Sequence, residues 1–351
     1  MRIVVNDIAV DAGGGMSILR QLYQHILSSG DTNEWYFLLG GAYIAPTENI
    51  HVLTFPEIKA SRSRRLLFDL VTGRRVINDL APDVVFYLQN TLVQGVKAPQ
   101  VMYMDQSIPF QQEKRFSLLK PQERTYAIYQ YIIGVLIRSA AKRADKVIVQ
   151  TQWLKDAIVR LCNVSPDRIV KIYPDCFMDD QWLSTAQADP MTFFYPASGA
   201  IYKNHKVIYD ALKLLPRKPR VILTLPQSAP AEGCSNVGSL PLERVYRYLQ
   251  GSVMVFPSYI ESFGLPLLEA RRIGTVILAA DTAFAREVLE GYPNAYFFST
   301  FDPAALAELM ARVMDGRIVQ VPCEETLQQS DGTGWAQIVA VLEEAKKCAR
   351  K

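Results

Sequence analysis

The sequence predicts an α/β protein built as two Rossmann-like halves, each a parallel sheet covered by helices. Two observations carry this reading. Short Val/Ile-rich runs alternate with helix-length amphipathic stretches from end to end, the pattern of strands joined by crossover helices. At 351 residues the chain is too long for one ordinary core, and the alternation plays twice around an irregular stretch.

In the first half the strand-like runs are 2–5, 35–39, 84–87, 101–104 and 146–150, with helical candidates at 16–27 and 126–142. In the second half they are 192–195, 220–225, 253–256, 275–279 and 295–298. Between the halves, residues 173–190 carry Pro174, Pro190 and the acids Asp175, Asp179 and Asp180, which read as a linker. Trp335, Ile338, Val341 and Leu342 fall at helical spacing, so the last residues read as one helix with lysines near its end. The expected division is a first domain over 1–175, a linker over 176–190, a second domain over 191–334 and a final helix over 335–351.

Hydrophobic content of 49% with 21% charge is that of a soluble globular protein. No run approaches the roughly 20 apolar residues of a membrane span, and the first residues run straight into a strand, which leaves no room for a signal peptide. Five cysteines without metal spacing read as free thiols of a cytoplasmic protein. Through Asp175 there are 21 Lys/Arg against 16 Asp/Glu, and 17 against 19 thereafter. Much of the excess lies in Lys59, Arg62, Arg64, Arg65, Arg74 and Arg75, interleaved with Leu66, Leu67, Phe68, Leu70 and Val71. Two readings of this run stand side by side: peripheral docking on anionic lipid, or a solvated helix face. Nucleic acid is not expected, since no recognition motif accompanies the charge.

The most informative stretch is Phe256-Pro-Ser-Tyr-Ile-Glu261-Ser-Phe-Gly264-Leu-Pro266-Leu-Leu-Glu269-Ala270. A strand-like run gives way to a turn with an exposed carboxylate, Glu261, and then to a helix that starts near Gly264-Leu265-Pro266. Free amides and the dipole at a helix start attract anions. Glu269 sits among Leu265, Leu267, Leu268 and Ile273, where a carboxylate needs a hydrogen-bonding partner. An anion cradle between two carboxylates suits a nucleotide sugar, with phosphate in the middle and hydroxyls at both ends.

This stretch resembles the donor-site signature of family-4 retaining glycosyltransferases of the GT-B fold, Pro-Ser-x-x-Glu-x-Phe-Gly-x-Pro-x-x-Glu-Ala. The resemblance implies that Glu261 faces the donor sugar, that Glu269 holds the ribose hydroxyls, and that the backbone around Phe263, Gly264 and Leu265 faces the sugar and diphosphate. The segment Ser198-Gly-Ala-Ile-Tyr-Lys203-Asn-His205-Lys206 resembles the family's phosphate segment, which makes Lys203 the cation that neutralises the leaving diphosphate. Ser198 stands where relatives often carry Arg, so that phosphate contact falls to Ser198, Lys206 or another residue. Gly13-Gly14-Gly15 lacks the spacing of a dinucleotide fingerprint, because Ile18 occupies the third glycine position. It resembles instead the amino-terminal Gly-Gly loop that borders the donor phosphates and the acceptor cleft in GT-B transferases.

Asp105 is the candidate for orienting or deprotonating the acceptor hydroxyl, with Met104 where many relatives carry His. Thr151 is read as a helix cap. Trp335 fits the start of a last helix that crosses back onto the first domain, giving two facing Rossmann-like domains. No Asp-x-Asp stands at a strand end, and no cofactor or metal is expected.

The resulting expectation is a cytoplasmic, metal-independent, retaining transferase, with peripheral contact at the cytoplasmic face of the inner membrane if the basic run docks on lipid. It moves a sugar from a nucleoside-diphosphate sugar to a glycan or lipid-linked glycan in bacterial surface-polysaccharide assembly, O-antigen or capsule. Two alternatives remain open: a nucleotide-sugar epimerase of the GT-B class, and a non-catalytic nucleotide-sugar or glycan-binding relative.

Overall fold

The computed structural model describes residues 1–10, 14–176, 178, 180–182, 187–229, 233–322 and 333–348. Of the positions singled out from sequence, Gly13, Asp179 and Cys323 lie outside the described residues. Two parallel sheets organise the rest. The first holds β1 (Arg2–Asp7), β2 (Glu34–Leu39), β3 (Ile50–Thr54), β4 (Val84–Tyr87), β5 (Gln100–Tyr103), β6 (Lys146–Val149) and β7 (Ile169–Lys171), in the order β3-β2-β1-β4-β5-β6-β7. The second holds β8 (Thr192–Tyr195), β9 (Arg220–Leu223), β10 (Ser235–Asn236), β11 (Val253–Phe256), β12 (Ile277–Ala280) and β13 (Ala295–Phe298), in the order β10-β9-β8-β11-β12-β13. This is the α/β architecture that the alternating runs predict.

Both faces of the first sheet are buried, as parallel sheets require. Val4, Val85, Met102 and Val147 pack one face against Phe68, Ile77 and Ile137 of the covering helices. Ile3, Val5, Phe86 and Ile148 pack the other against Leu19, Leu22 and Ile26 of the Gly14–Ser28 helix. Trp335, Ile338, Val341 and Leu342 join this second cluster, so the Gly334–Cys348 helix lies on the first sheet although it follows the second in sequence.

The strands β3, β7 and β10 were not among the expected runs. β3 has only one fully buried residue, β7 is three residues long and β10 two, too short for an apolar run to register. The helix expected over 126–142 is a helical path from Arg124 to Arg143 whose middle, Ile128–Ile133, is π-helical.

Asp175 is a correction to the linker reading. It is buried, and its carboxylate accepts the Gly334 amide (2.9 Å) and the Trp335 amide (3.2 Å), capping the last helix. Only glycine fits at 334, since a Cβ there would stand 2.7 Å from the Tyr173 carbonyl oxygen. The acid is therefore an anchor between linker and tail, which its sequence neighbours gave no reason to expect.

Candidate active site

In an open parallel sheet, a crevice forms beyond the strand carboxyl ends where the strand order reverses. Here that happens twice, between β8 and β11 in the second sheet and between β1 and β4 in the first. Lys203, Glu261, Gly264 and Glu269 lie at the first of these points, and Gly14, Gly15 and Asp105 near the second.

At the β8/β11 point, adjacent strands deliver two loops to the same place. After β8 the chain turns through the 3-10 segment Ile201–Lys203, and Asn204 adopts a left-handed φ of 55° before the His205–Leu214 helix begins. The buried Tyr195 hydroxyl donates to the Lys203 carbonyl (3.0 Å), fixing that turn to its strand. After β11, Ser258 and Glu261 enter from the other side. Lys203 Nζ donates to Glu261 Oε1 at 2.5 Å, and Ser258 Oγ donates to the same oxygen at 2.7 Å. Both charged side chains are about five-sixths buried, at 16% and 15% exposure, so this carboxylate is enclosed rather than exposed as the turn suggested. Sequence reading missed Ser258, although the Pro-Ser pair was part of the motif.

Gly264 follows at φ 94°, a left-handed conformation that side chains resist, and directly precedes the Leu265–Ile273 helix. Phe263 is buried edge-on to Tyr173, which seats the turn, and Pro266 lies in the first helical turn. The helix therefore starts beside the Lys203–Glu261 pair. Glu269, one turn further on, is largely buried and hydrogen-bonded to the Tyr246 hydroxyl. Burial pushes its pKa up to about 7, opposed by that hydrogen bond. Tyr246 is the partner that the apolar surroundings of Glu269 demanded.

The remaining candidates of this segment separate. Ser198 is exposed in the loop after β8. Lys206 is exposed and paired with Asp210, which turns it away from the enclosed pair. His205 is buried with a neutral ring: burial first, then the charge of Lys203, lowers its pKa to about 4. Lys203 is thus the cation placed against Glu261.

At the β1/β4 point the groups differ in kind. Asp105, just past β5, accepts from Asn90 Nδ2 (2.6 Å), and its own amide donates to Asn90 Oδ1 (3.1 Å). Burial raises its pKa. Asp7, at the end of β1, is 3% exposed, and burial together with the nearby Asp105 charge pushes its pKa up to about 8. Its Oδ2 and Asn6 Nδ2 are buried without a hydrogen-bond partner among the described residues. Gly14 and Gly15 begin the next helix, and Gly14 is exposed with open space where a Cβ would stand. Met104 is fully buried in the sheet core. Asp7 and Asn90 were missed; two polar residues, Asn6 and Asp7, closing an apolar strand were the available signal.

The two domains are tied together beneath these points. Thr151 stands at the N-cap of the Gln152–Cys162 helix, but its hydroxyl makes no cap bond; it donates to the Ser262 carbonyl (2.9 Å). The cap comes from the second domain. Glu287 accepts the Gln152 amide at 2.7 and 2.8 Å and the Trp153 amide at 3.3 Å, and also meets Lys171. The predicted cap is thereby corrected: Thr151 is a strut to the turn before the Leu265–Ile273 helix, and a carboxylate across the interface neutralises the helix start.

Comparison with known proteins agrees with this architecture. Residues 230–329 match the family model Glycosyl transferases group 1. The chain is 27% identical over 174 residues to the O-antigen chain mannosyltransferase B of Escherichia coli, covering 42% of this chain and 46% of that one. It is 24% identical over 233 residues to a D-inositol 3-phosphate glycosyltransferase of Xylanimonas cellulosilytica, covering 57% and 56%. The chain thus spans about half the length of the curated relatives it matches. Among solved structures, Anabaena Alr3699/HepE in complex with UDP and glucose superposes with a TM-score of 0.67 at 15% identity, over 98% of this chain and 100% of that one. The lipopolysaccharide outer core galactosyltransferase WaaB, in its apo form, superposes at 0.65 and 15% identity over both chains entirely. Residues 230–329 are thus similar to the Glycosyl transferases group 1 family, and the chain shares the GT-B fold of these solved structures.

Proposed function

We propose that the protein is a glycosyltransferase that moves a sugar from a nucleoside-diphosphate sugar to a hydroxyl of a glycan, in the assembly of a cell-surface polysaccharide. The observation that carries this reading is the enclosed Lys203–Glu261 pair beside the start of the Leu265–Ile273 helix, with Glu269 one turn further on. In this reading the diphosphate lies at the helix start and the ribose hydroxyls reach Glu269. UDP is the nucleotide to try first, since Alr3699/HepE was solved with it.

The resting pair suggests how transfer proceeds. Breaking the anomeric bond places extra negative charge on the departing diphosphate, and Lys203 is already set where an ammonium stabilises it. As Lys203 turns to that charge, Glu261 is released to accept hydrogen bonds from the sugar. Glu269 must be ionised to accept from both ribose hydroxyls, so nucleotide affinity rises with pH through about 7. Asp105, held by Asn90, orients the acceptor hydroxyl from the first domain. Gly14 and Gly15 let acceptor and phosphate approach the backbone closely.

Retention of the anomeric configuration, independence of divalent metal and a lipid-linked acceptor at the cytoplasmic membrane face belong to the same proposal. The motif resemblance supports retention, and Lys203 with the helix start supplies the charge stabilisation that a metal gives elsewhere. Among the described residues no helix is long and apolar enough to cross a membrane. The test is a transfer assay with UDP-sugars and glycan acceptors in EDTA, the product anomer read by NMR. Product with the donor's anomeric configuration supports the reading; donor turnover to another nucleotide sugar without acceptor would replace it with an epimerase.

A further inference from the structure

In the first domain, a recess of ≈600 Å³ opens between the loop after β5 and the Gly134–Arg143 helix. Lys114, Arg115 and Arg138 line it together with Gln111, Gln130 and Tyr131, and no carboxylate is among its lining residues. Such a concentration of cations attracts anions, and carboxylates among the described residues answer it only in part. Glu123, held by the Ser117 amide, pairs with Lys114 at 3.1 Å and Lys120 at 3.8 Å. Arg138 is partly buried and donates only to the Pro109 carbonyl (3.1 Å), and Arg115 has no ion-pair partner among the described residues. Glu113, the acid next in sequence, lines a different recess between the domains.

The loop that carries Lys114 and Arg115 is held by side-chain hydrogen bonds. Gln111 accepts the Lys114 amide (2.9 Å) and donates to the Lys114 carbonyl (2.6 Å). Gln130 donates to the same carbonyl (2.9 Å) and accepts the Phe116 amide (2.9 Å). Two glutamine side chains thus hold the backbone on both sides of Arg115. Gln111 and Gln112 also line the interdomain recess, whose far wall holds Tyr259 and Ile260, immediately before Glu261 in the chain. The recess among the arginines therefore adjoins the interdomain recess through Gln111 and Gln112.

We propose that this recess binds a phosphate group carried by the acceptor, with Arg115 and Arg138 pairing its oxygens. Two uncompensated guanidinium groups match a dianion, and their planar forks fit phosphate oxygens bidentately. The inference rests on the transferase reading and narrows its acceptor to a phosphorylated glycan or a glycan on a phosphate-bearing lipid. Tyr131 lines the recess, and Ile132, Val135 and Leu136 are exposed on the same helical path, an apolar surface that a lipid's hydrocarbon chain would exploit.

The test is a calorimetric titration of inorganic pyrophosphate into the full chain already saturated with UDP, which blocks the donor site. Binding is expected, and Arg115→Gln should weaken it at least tenfold. Arg115 makes no contact that the fold depends on, so this variant is the clean one; the double variant with Arg138→Gln should abolish binding. No pyrophosphate binding in the presence of UDP, or unchanged affinity in both variants, would overturn the proposal. Displacement of pyrophosphate by phosphatidylglycerol vesicles but not phosphatidylcholine vesicles places the phosphate on a lipid headgroup. Binding indifferent to both places it on a soluble glycan. Failure of UDP itself to bind would count against the transferase reading, while the Arg115 dependence of pyrophosphate binding still decides the recess.

Discussion

The two points where strand order reverses are alike in topology and opposite in chemistry. Between β8 and β11, the charged groups are paired: Lys203 with Glu261, Glu261 with Ser258, Glu269 with Tyr246. Between β1 and β4, two acids gather, Asp7 near Asp105, within reach of the Arg65 charge but without an ion pair among the described residues, and two buried polar atoms have no partner there. A site complete within one domain can bind a charged ligand before anything else arrives. A site of facing carboxyls and amides is suited to a neutral hydroxyl, which both donates and accepts. The difference suggests a division of labour, with the donor gripped by the second domain and the acceptor by the first.

The sharpest way to break this comparison is to remove Lys203. Lys203→Ala should lower turnover by roughly 10²–10³ while moving the donor KM little, because the ammonium acts on charge that develops as the bond breaks. Equal loss in kcat and donor affinity, read by steady-state kinetics, would make Lys203 a ground-state binder instead.

Glu269→Ala should weaken UDP binding by about tenfold or more, the scale of a hydrogen bond to a charged group. The wild-type affinity should also fall by about tenfold between pH 8 and pH 6, because a carboxyl with a pKa of about 7 is mostly protonated at pH 6. Glu269→Gln should remove that pH dependence apart from the nucleotide's own titration. A pH slope that survives the substitution would assign the titration elsewhere.

Asp7 offers the opposite test on the first domain. Its folded pKa lies above its unfolded value, so the buried carboxyl costs stability increasingly as pH rises above about 4, up to about 8. Asp7→Asn should therefore raise the Tm by several degrees at pH 8, with the gain shrinking toward pH 4. Asp105 and Arg65 are the charged groups that face it, and Asp105→Asn should lower the Asp7 pKa and shrink the same gain.

The smallest effect belongs to the interdomain cap. Glu287→Gln should cost about 1 kcal/mol, the scale of a lost helix cap, read as a shift in the denaturant midpoint. No change would mean that a neutral amide oxygen at 287 accepts from Gln152, Lys171 and Tyr173 as well as the carboxylate does.

What the sequence disclosed follows the same divide. Glu261, Gly264 and Glu269 lie within nine residues on one strand–turn–helix, so their spacing is visible without a structure. Lys203 lies 58 positions away but shares the turn chemistry of a strand giving way to a helix. The first domain gives no such local signal. Asp7, Asn90 and Asp105 belong to three strand ends that only the sheet order brings together, so Asp105 was reachable and its neighbours were not. Asp175 and Glu287 were invisible for the same reason, since each caps a helix more than 130 positions away. The sheets themselves were legible wherever a strand was long and apolar, and lost where it shrank to two or three residues, as in β7 and β10.

The most direct test of the central claim is a calorimetric titration of UDP, in EDTA, into the wild-type protein and into Glu269→Ala. The account predicts one site per chain in the wild type and an affinity reduced about tenfold or more in the folded variant. Equal affinity in the two proteins would contradict it, because the nucleotide would then lie away from the Leu265–Ile273 helix.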